Sequence, residues 1–273
     1  MIYELNELEF YRIKPMLIGS TVNLEIKAVA NKFNPGWIFV DNYENPKSAL
    51  VWSKGIEGFY FLGQETNIEF TECIDKYITE VIINRAKKVG LDRFEFSGTG
   101  VEWDQTLEKI FSNKELYKSK QFVYKYNNTE KTLIRKKDLP DGIEVKKVDK
   151  ELLNSNVTNI DFVKSAILEW WNNVEDYINK GIGFCTIFDN NIVSSCISSF
   201  VTEESMESHI VTVEKYRKRG FAKIAVEEFL RYCIKYNYEP YWDCMESNAG
   251  SRALAESLGY YKDYEYKLYS FKI

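Results

Sequence analysis

At 273 residues the chain has the length of one large or two modest domains. With 45% hydrophobic and 28% charged residues, it has the balance of a globular protein able to bury a core, which excludes disorder. No apolar run approaches the roughly 18 residues of a membrane-crossing helix. The acidic start MIYELNELEF is also unlike a secretory leader, so no membrane partner is expected. Five cysteines, an odd count without a CxxC pair, read as reduced thiols of a cytoplasmic protein. A single histidine, His209, excludes a His-rich metal centre, and no metal is expected. Residues 1–140 carry 20 basic and 20 acidic residues, so the net charge of −5 belongs to residues 141–273. Neither part shows the basic face of a nucleic-acid binder. An acidic second half suits a cationic substrate such as an amine, and is equally ordinary for a cytosolic protein.

In chain order, Trp37–Asp41, Ala49–Trp52 and Gly58–Gly63 read as strands, Phe70–Val89 as a helix and Arg93–Ser97 as a strand. A helix over Trp103–Phe111 and a strand over Gln121–Tyr126 follow. The polar run Asn127–Lys131 and the turn Asp138-Leu139-Pro140-Asp141-Gly142 mark a boundary, giving expected domains 1–135 and 136–273. Beyond it Ile143–Val148 alternates as a strand, with helical stretches at 149–155 and 160–179. Gly183–Phe188 and Ile192–Val201 flank Asp189-Asn190-Asn191 as a hairpin, and Met206–Val213 is a further strand. A helix at 218–236, a strand Tyr241–Met245, a helix Asn248–Leu258 and a strand Tyr261–Lys272 complete the chain. Strand, strand, strand, helix, strand, helix, strand thus occurs twice. The reading is an internal duplication in an α/β (α+β) chain, each half a mixed, mostly antiparallel sheet flanked by helices.

The sharpest local feature is the run from His209 to Lys223, where a strand enters a short basic turn that opens a helix. The first amides of a helix have no intrahelical partner and carry the positive end of the macrodipole, which suits a pyrophosphate. Gly220 allows close approach of backbone to phosphate, Ala222 keeps the next turn small, and Arg217, Lys218 and Arg219 add charge. Neither a Walker loop nor a GxGxxG fingerprint is present. Taken alone, a basic turn with one glycine is also what a solvated helix start looks like.

Arg217-x-x-Gly220-x-Ala222 resembles the R/Q-x-x-G-x-G/A motif of the GNAT superfamily of acetyl-CoA-dependent N-acetyltransferases. The segment Asn248-x-x-Ser251-x-x-Leu254 through Gly259-Tyr260 is similar to that superfamily's N-x-x-[AS]-x-x-[LY]-x-x-x-G-[FY] pattern. Trp242-Asp243-Cys244 ahead of it resembles the bacterial zwittermicin-resistance-type acetyltransferases. The resemblance covers residues 142–273. Before them it extends only to element order, since Gln64-Glu65-Thr66-Asn67 replaces the basic turn and marks a degenerate first half.

The resemblance implies transfer of an acetyl group from acetyl-CoA to a primary amine of a small molecule, directly, in a ternary complex. It places pyrophosphate on the amides of Lys218, Arg219, Gly220, Phe221, Ala222 and Lys223, with Arg217 beside them. The pantetheine arm would lie along Val211, Thr212 and Val213 like an added strand, where a bulge splays this strand from the next. Asn248 would reach that arm, cap the last helix, or do both, with Ser251 following in the motif. Alternation puts Glu207 and His209 on the cleft face, His209 having the ordinary pKa of about 6.5 that favours a base. The plain reading of His209 is a half-exposed strand residue with no role. Many relatives carry a tyrosine acid where this chain has Ala255, leaving Cys244, Tyr260 and Tyr264 as candidates. Two alternatives stand beside this enzyme: an aminoacyl transferase with tandem GNAT-like halves, and a non-catalytic acyl-CoA sensor. The first half, with Trp37, Trp52 and Trp103 to bury, is expected to shape the acceptor site rather than hold a second cofactor, the alternative being a purely structural lobe.

Overall fold

A computed structural model of the chain describes residues 1–19, 22–126 and 139–273. The polar run Asn127–Lys131 and the expected cut at 135/136 lie outside the described residues. By compactness the chain divides into Met1–Phe122 with Tyr264–Ile273, and Val123–Asp263. This differs from the linear division at 135/136, because the end of the last strand pairs within the first unit.

The first unit opens with β1 (Tyr3–Glu4), a 3-10 helix (Glu7–Leu17) and α1 (Leu24–Ala30), none of which alternation or helical spacing had indicated. β2 (Gly36–Val40), β3 (Ser48–Ser53) and β4 (Phe59–Gly63) follow, then α2 (Ile68–Tyr77), a π-helical turn (Ile78–Ile82) and α3 (Ile83–Lys88). The helix expected over Phe70–Val89 is therefore continuous in course but carries a π turn at its middle. β5 (Arg93–Gly98), α4 (Val101–Ile110) and β6 (Tyr117–Tyr126) complete the run, the last four residues of β6 belonging to the second unit. Strand order is β1-β2-β3-β4-β5, then the chain's last strand, Tyr260–Lys272, through its Tyr264–Ile273 end. That strand pairs antiparallel with β5 at Tyr269↔Phe96 and Phe271↔Phe94. The pairs β1/β2, β2/β3 and β3/β4 are antiparallel and β4/β5 is parallel, so the sheet is mixed.

This sheet is buried on both faces. Phe39, Leu50, Trp52, Phe59, Phe61, Phe94 and Phe96 pack with Trp103 and Phe111 on one face, and Ile38, Val40, Val51 and Leu62 with Phe10, Ile13 and Val29 on the other. Double burial is why β3 and β4 are apolar almost throughout rather than alternating.

The second unit contains β7 (Ile143–Lys147), α5 (Lys150–Leu153), α6 (Ile160–Trp170), α7 (Val174–Lys180), β8 (Gly183–Phe188), β9 (Asn191–Val201) and β10 (Ser205–Thr212). A 3-10 turn (Glu214–Tyr216), α8 (Phe221–Lys235), β11 (Glu239–Met245) and α9 (Ala249–Ser257) follow, then the start of β12 (Tyr260–Lys272). Strand order is β6-β11-β10-β9-β8-β7, with β10/β11 parallel and the β7/β8, β8/β9 and β9/β10 pairs antiparallel. The helix expected over 160–179 breaks at Asn173, whose side chain caps α7 by accepting from the Asp176 amide at 2.8 Å. Asp189 and Asn190 turn the β8/β9 hairpin with φ of 48° and 59°, the left-handed pair of a tight two-residue loop. The chain is thus a mixed α/β fold of two tandem halves with the same element order. Among the described residues no helix is long and apolar enough to cross a membrane.

Glu25, in the first turn of α1, is fully buried. Burial pushes its carboxyl from an ordinary 4.5 up to about 7, against the pull of its own amide and the Tyr60 hydroxyl. The folded state holds this proton more tightly than the unfolded chain. Its contribution is therefore complete below about pH 4.5 and is lost as pH rises through 7. Urea unfolding at pH 6 and pH 9 should show Glu25→Gln losing less stability over that rise than the parent, by roughly 1.4 kcal/mol. Equal losses would contradict the assignment.

Candidate active site

The site starts from a strand pair that stops short. β10 and β11 pair at Ser205↔Glu239, Met206↔Pro240 and Glu207↔Tyr241, although β10 runs on to Thr212 and β11 to Met245. On its other side β10 stays paired with β9 as far as Thr212↔Ser194. Between Met206↔Val201 and Ser208↔Ser198, β9 advances three residues for two on β10. The bulge therefore lies at the Glu207 level, as an extra residue on β9 rather than on β10, and adds local twist.

Beyond Glu207 the strand presents one unpaired edge. A residue's N–H and C=O leave a strand on the same side, and successive residues alternate. The Val213 amide donates to the Val193 carbonyl at 3.0 Å, and the Val211 carbonyl accepts from Ser194 Oγ at 3.2 Å. Val211 and Val213 thus turn their main chain toward β9. Of the three expected contacts only Thr212 faces the open edge, together with Ile210, which the sequence reading passed over. The Thr212 carbonyl accepts from Arg217 Nε at 3.2 Å, so Arg217 braces the end of the strand.

The turn that follows has Lys218 at φ 60° and Gly220 at φ 83°. α8 therefore starts at Phe221, not at 218. The bond from the Ile224 amide to the Gly220 carbonyl, 3.3 Å, is the first of the helix. The amides of Phe221, Ala222 and Lys223 precede it and have no intrahelical acceptor. A Cβ placed on Gly220 would meet nothing within 4 Å. Glycine is demanded there by the backbone alone, and the space over the turn is open. Phe221 anchors the helix start, its ring buried and its carbonyl accepting from Thr186 Oγ1 at 2.9 Å. The Arg219 guanidinium lies over the rings of Phe221, Phe188 and Tyr216 at 5.1, 5.4 and 5.7 Å. Lys223 donates to the Ser257 carbonyl at 3.1 Å, and Lys218 is exposed.

The corresponding turn of the first unit is built shut. A Cβ on Gly63 would collide with the Lys47 carbonyl, the Gln64 amide donates to that carbonyl at 2.9 Å, and the Asn67 side chain donates to Asp41 at 2.8 Å. Trp103 donates to the Gly63 carbonyl at 3.2 Å and packs where a Cβ on Gly98 would fall. Trp103 fills the end of the β4/β5 pair.

Among the proton-transfer candidates, Glu207 is buried at the last paired position of β10 and β11. His209 packs against Trp170 with ring centres 4.9 Å apart, and its Nε2 is 4.0 Å from Glu169 Oε2. That distance is too long for a hydrogen bond, and the buried Nε2 has no hydrogen-bond partner among the described residues. Burial lowers the imidazole from 6.5 to about 4, so His209 is neutral at physiological pH. The ordinary value that favoured it in the sequence does not survive folding.

Asn248 caps α9, its Oδ1 accepting from the Ser251 amide at 3.0 Å. Ser251 Oγ in turn accepts from the Trp242 indole at 3.0 Å. Cys244 is buried, and burial pushes its thiol up. Tyr260 is buried between Trp242 and Tyr126, its hydroxyl also pushed up by burial. Tyr264 belongs to the first unit, apart from the unit that carries the turn. Sequence reasoning missed Glu169, and it missed Tyr124, whose hydroxyl donates to Glu256 beside Ala255 at 3.2 Å. No local motif marks either, because both are placed by contacts distant in sequence. Trp171 is buried and donates to the Ser198 carbonyl at 3.0 Å. Among the described residues no cluster of His, Cys, Asp or Glu could hold a metal ion.

A parallel pair that parts above a helix start with open amides defines an acyltransferase of the GNAT type. The model of the GNAT acetyltransferase family matches residues 14–269, and the chain belongs to that family. An uncharacterized N-acetyltransferase of Bacillus subtilis, YdfB, is 28% identical over 271 residues, covering 98% of each chain. A GCN5-related N-acetyltransferase-like protein from Streptococcus suis shares the fold with a TM-score of 0.65 at 19% identity, over 97% of this chain and 99% of its own. A tandem GNAT protein from the clavulanic acid biosynthesis pathway does so with a TM-score of 0.67 at 8% identity, over 100% and 98%.

Because the folded state disfavours a proton on His209, stability is complete above about pH 6.5 and is lost as pH falls toward 4. Replacing His209 by Gln should flatten that acid decline by about 2 kcal/mol between pH 7 and pH 4.5 in denaturant titrations. A variant declining in parallel with the parent would place the imidazole in solvent.

Proposed function

We propose that this acyltransferase takes its acetyl group from acetyl-CoA and passes it directly to a primary amine of a small molecule in a ternary complex. The observation that carries this reading is the conjunction of the open β10 edge with the open amides of Phe221, Ala222 and Lys223, which follow the strand's bracing bond at Thr212–Arg217 and its short 3-10 turn. An edge offering Ile210 and Thr212 suits an amide-bearing arm laid down as an added strand, and the start of α8 suits the pyrophosphate at its far end. Arg219, stacked on three rings, and exposed Lys218 supply charge without closing the turn.

Acetyl-CoA supplies the activated thioester, and the chain supplies position and proton transfer. Asn248 and Ser251 fix the start of α9 and the Trp242 ring, which borders the parted strands. The buried Cys244 thiol stays protonated at neutral pH, which favours direct attack by the amine over a covalent acyl-cysteine. His209 Nε2 and Ser195 Oγ, on the same face of β10 and β9, are buried acceptors with no partner among the described residues. A polar amine would satisfy them. The burial that holds His209 neutral also favours the neutral, nucleophilic form of the amine, whose N–H His209 Nε2 accepts, while Glu207 at the fork takes the proton. The Trp242-Asp243-Cys244 sequence supports a place near the zwittermicin-resistance type, and the five free cysteines support a reducing cytoplasm.

An assay for free CoA thiol across a panel of small primary amines tests the reading: release should require both acetyl-CoA and an amine. His209→Gln and Glu207→Gln should each lower kcat by about 10²-fold or more with KM for acetyl-CoA unchanged. Binding of acetyl-CoA without release for any amine would overturn catalysis. Full rates in both variants would overturn the assigned acceptors.

A further inference from the structure

The first unit contains a recess that the acetyl-transfer reading does not use. It lies on the face of β4, β5 and the last strand opposite the Phe59, Phe94 and Phe96 stack. Its walls include Tyr60, Glu95, Ser97, Gln121 and Tyr266. The recess encloses about 230 Å³ up to its open mouth, of which only about 10 Å³ admits a water-sized group. That is room for one small polar head, with the remainder of any ligand outside.

The acceptors around this head-sized space are unspent. Ser97 is 1% exposed, and its Oγ has no hydrogen-bond partner among the described residues. Strand alternation turns Ser97 away from the aromatic layer that takes Phe96, onto the face of its register partner Tyr60. Gln121 Oε1 is buried and equally without a partner among the described residues. The Glu95 side chain stands two residues before Ser97 on the same face. Burial pushes its carboxyl up, with Arg93 pulling the other way. The Arg93 guanidinium acts on Glu95 from outside the recess, donating to Ser270 Oγ at 2.7 and 3.3 Å and stacking over Tyr117 at 4.5 Å. No lysine or arginine lines the space.

A carboxylate beside an amide oxygen and a hydroxyl that have no partner among the described residues makes a site rich in acceptors, with no basic side chain in its lining. A primary ammonium offers three donors and one positive charge in the volume of a water-sized group. Tyr60 and Tyr266 add aromatic walls of the kind that attract cations. Apart from Glu95, no His, Cys, Asp or Glu among the described residues lines the space to hold a divalent metal. We propose that this recess binds the ammonium head of a primary alkylamine, with Glu95 as the charge partner and Ser97 Oγ and Gln121 Oε1 as further acceptors. The site lies wholly in the first unit and stands independently of acetyl transfer.

Calorimetric titration of the full chain with ethylammonium chloride, in the absence of acetyl-CoA, tests the site. Tetramethylammonium and sodium chloride are the matched probes. Saturable binding of ethylammonium is expected, at least tenfold weaker in Glu95→Gln and several-fold weaker in Ser97→Ala. Tetramethylammonium, which has no N–H, should bind at least tenfold more weakly. The near-isosteric Gln and the small Ala substitutions are checked for the parent's thermal unfolding midpoint, and either folded variant suffices. Equal affinity in parent and variants would overturn the assignment. So would equal binding of tetramethylammonium or sodium, or no saturable heat, which would leave the recess to water.

Discussion

The early end of the β10/β11 ladder at Glu207 and Tyr241 is the constraint on which the second unit is built. Backbone groups removed from a ladder must find other partners or face water. Here Arg217 braces one of them, the Thr212 carbonyl, and the edge around Ile210 stays available. The extra residue on β9 supplies twist at the level where the strands part. The same divergence leaves α8 to begin beside an open edge, with its unbonded amides presented over a glycine that nothing crowds. On the proposed function, binding in this chain rests on main-chain geometry, and the side chains tune it.

The two units make this dependence visible because they share an element order and differ at this turn. In the first unit the β4 turn closes through Lys47, Asn67 and Asp41, and Trp103 occupies the end of the strand pair. Ring stacking runs from Trp52 through Phe59 and Phe94 to Phe271, at centroid distances of 4.9, 4.1 and 5.3 Å. An aromatic layer packed to this density leaves no space for a phosphate. Opening space for a ligand on one copy and filling it on the other uses the same topology for opposite ends.

Much of this was legible in the sequence. The Asp189-Asn190 hairpin, the strands on either side and the glycine-bearing turn before α8 announce themselves through alternation and turn chemistry, which act over a few residues. What stayed hidden depends on distant contacts. Tyr269 pairs with Phe96, and nothing near residue 269 says so. The direction of the Val211 and Val213 main chain is set by pairing with β9, which the strand's own sequence does not show. His209 looked like a base of ordinary pKa, and only the packing of Trp170 and the sheet around it shows why it is lowered. The 3-10 helix at Glu7–Leu17, with Pro15 inside it, has no period that a helical or strand template detects.

The central claim is that one cofactor binds per chain, on the amides that open α8. Calorimetry with acetyl-CoA on the full chain and on Gly220→Asp addresses it most directly, since aspartate puts bulk and negative charge where phosphate must sit. The account predicts one acetyl-CoA per parent chain and no measurable binding to a folded Gly220→Asp variant. Two molecules per chain, or unchanged affinity in the variant, would contradict it.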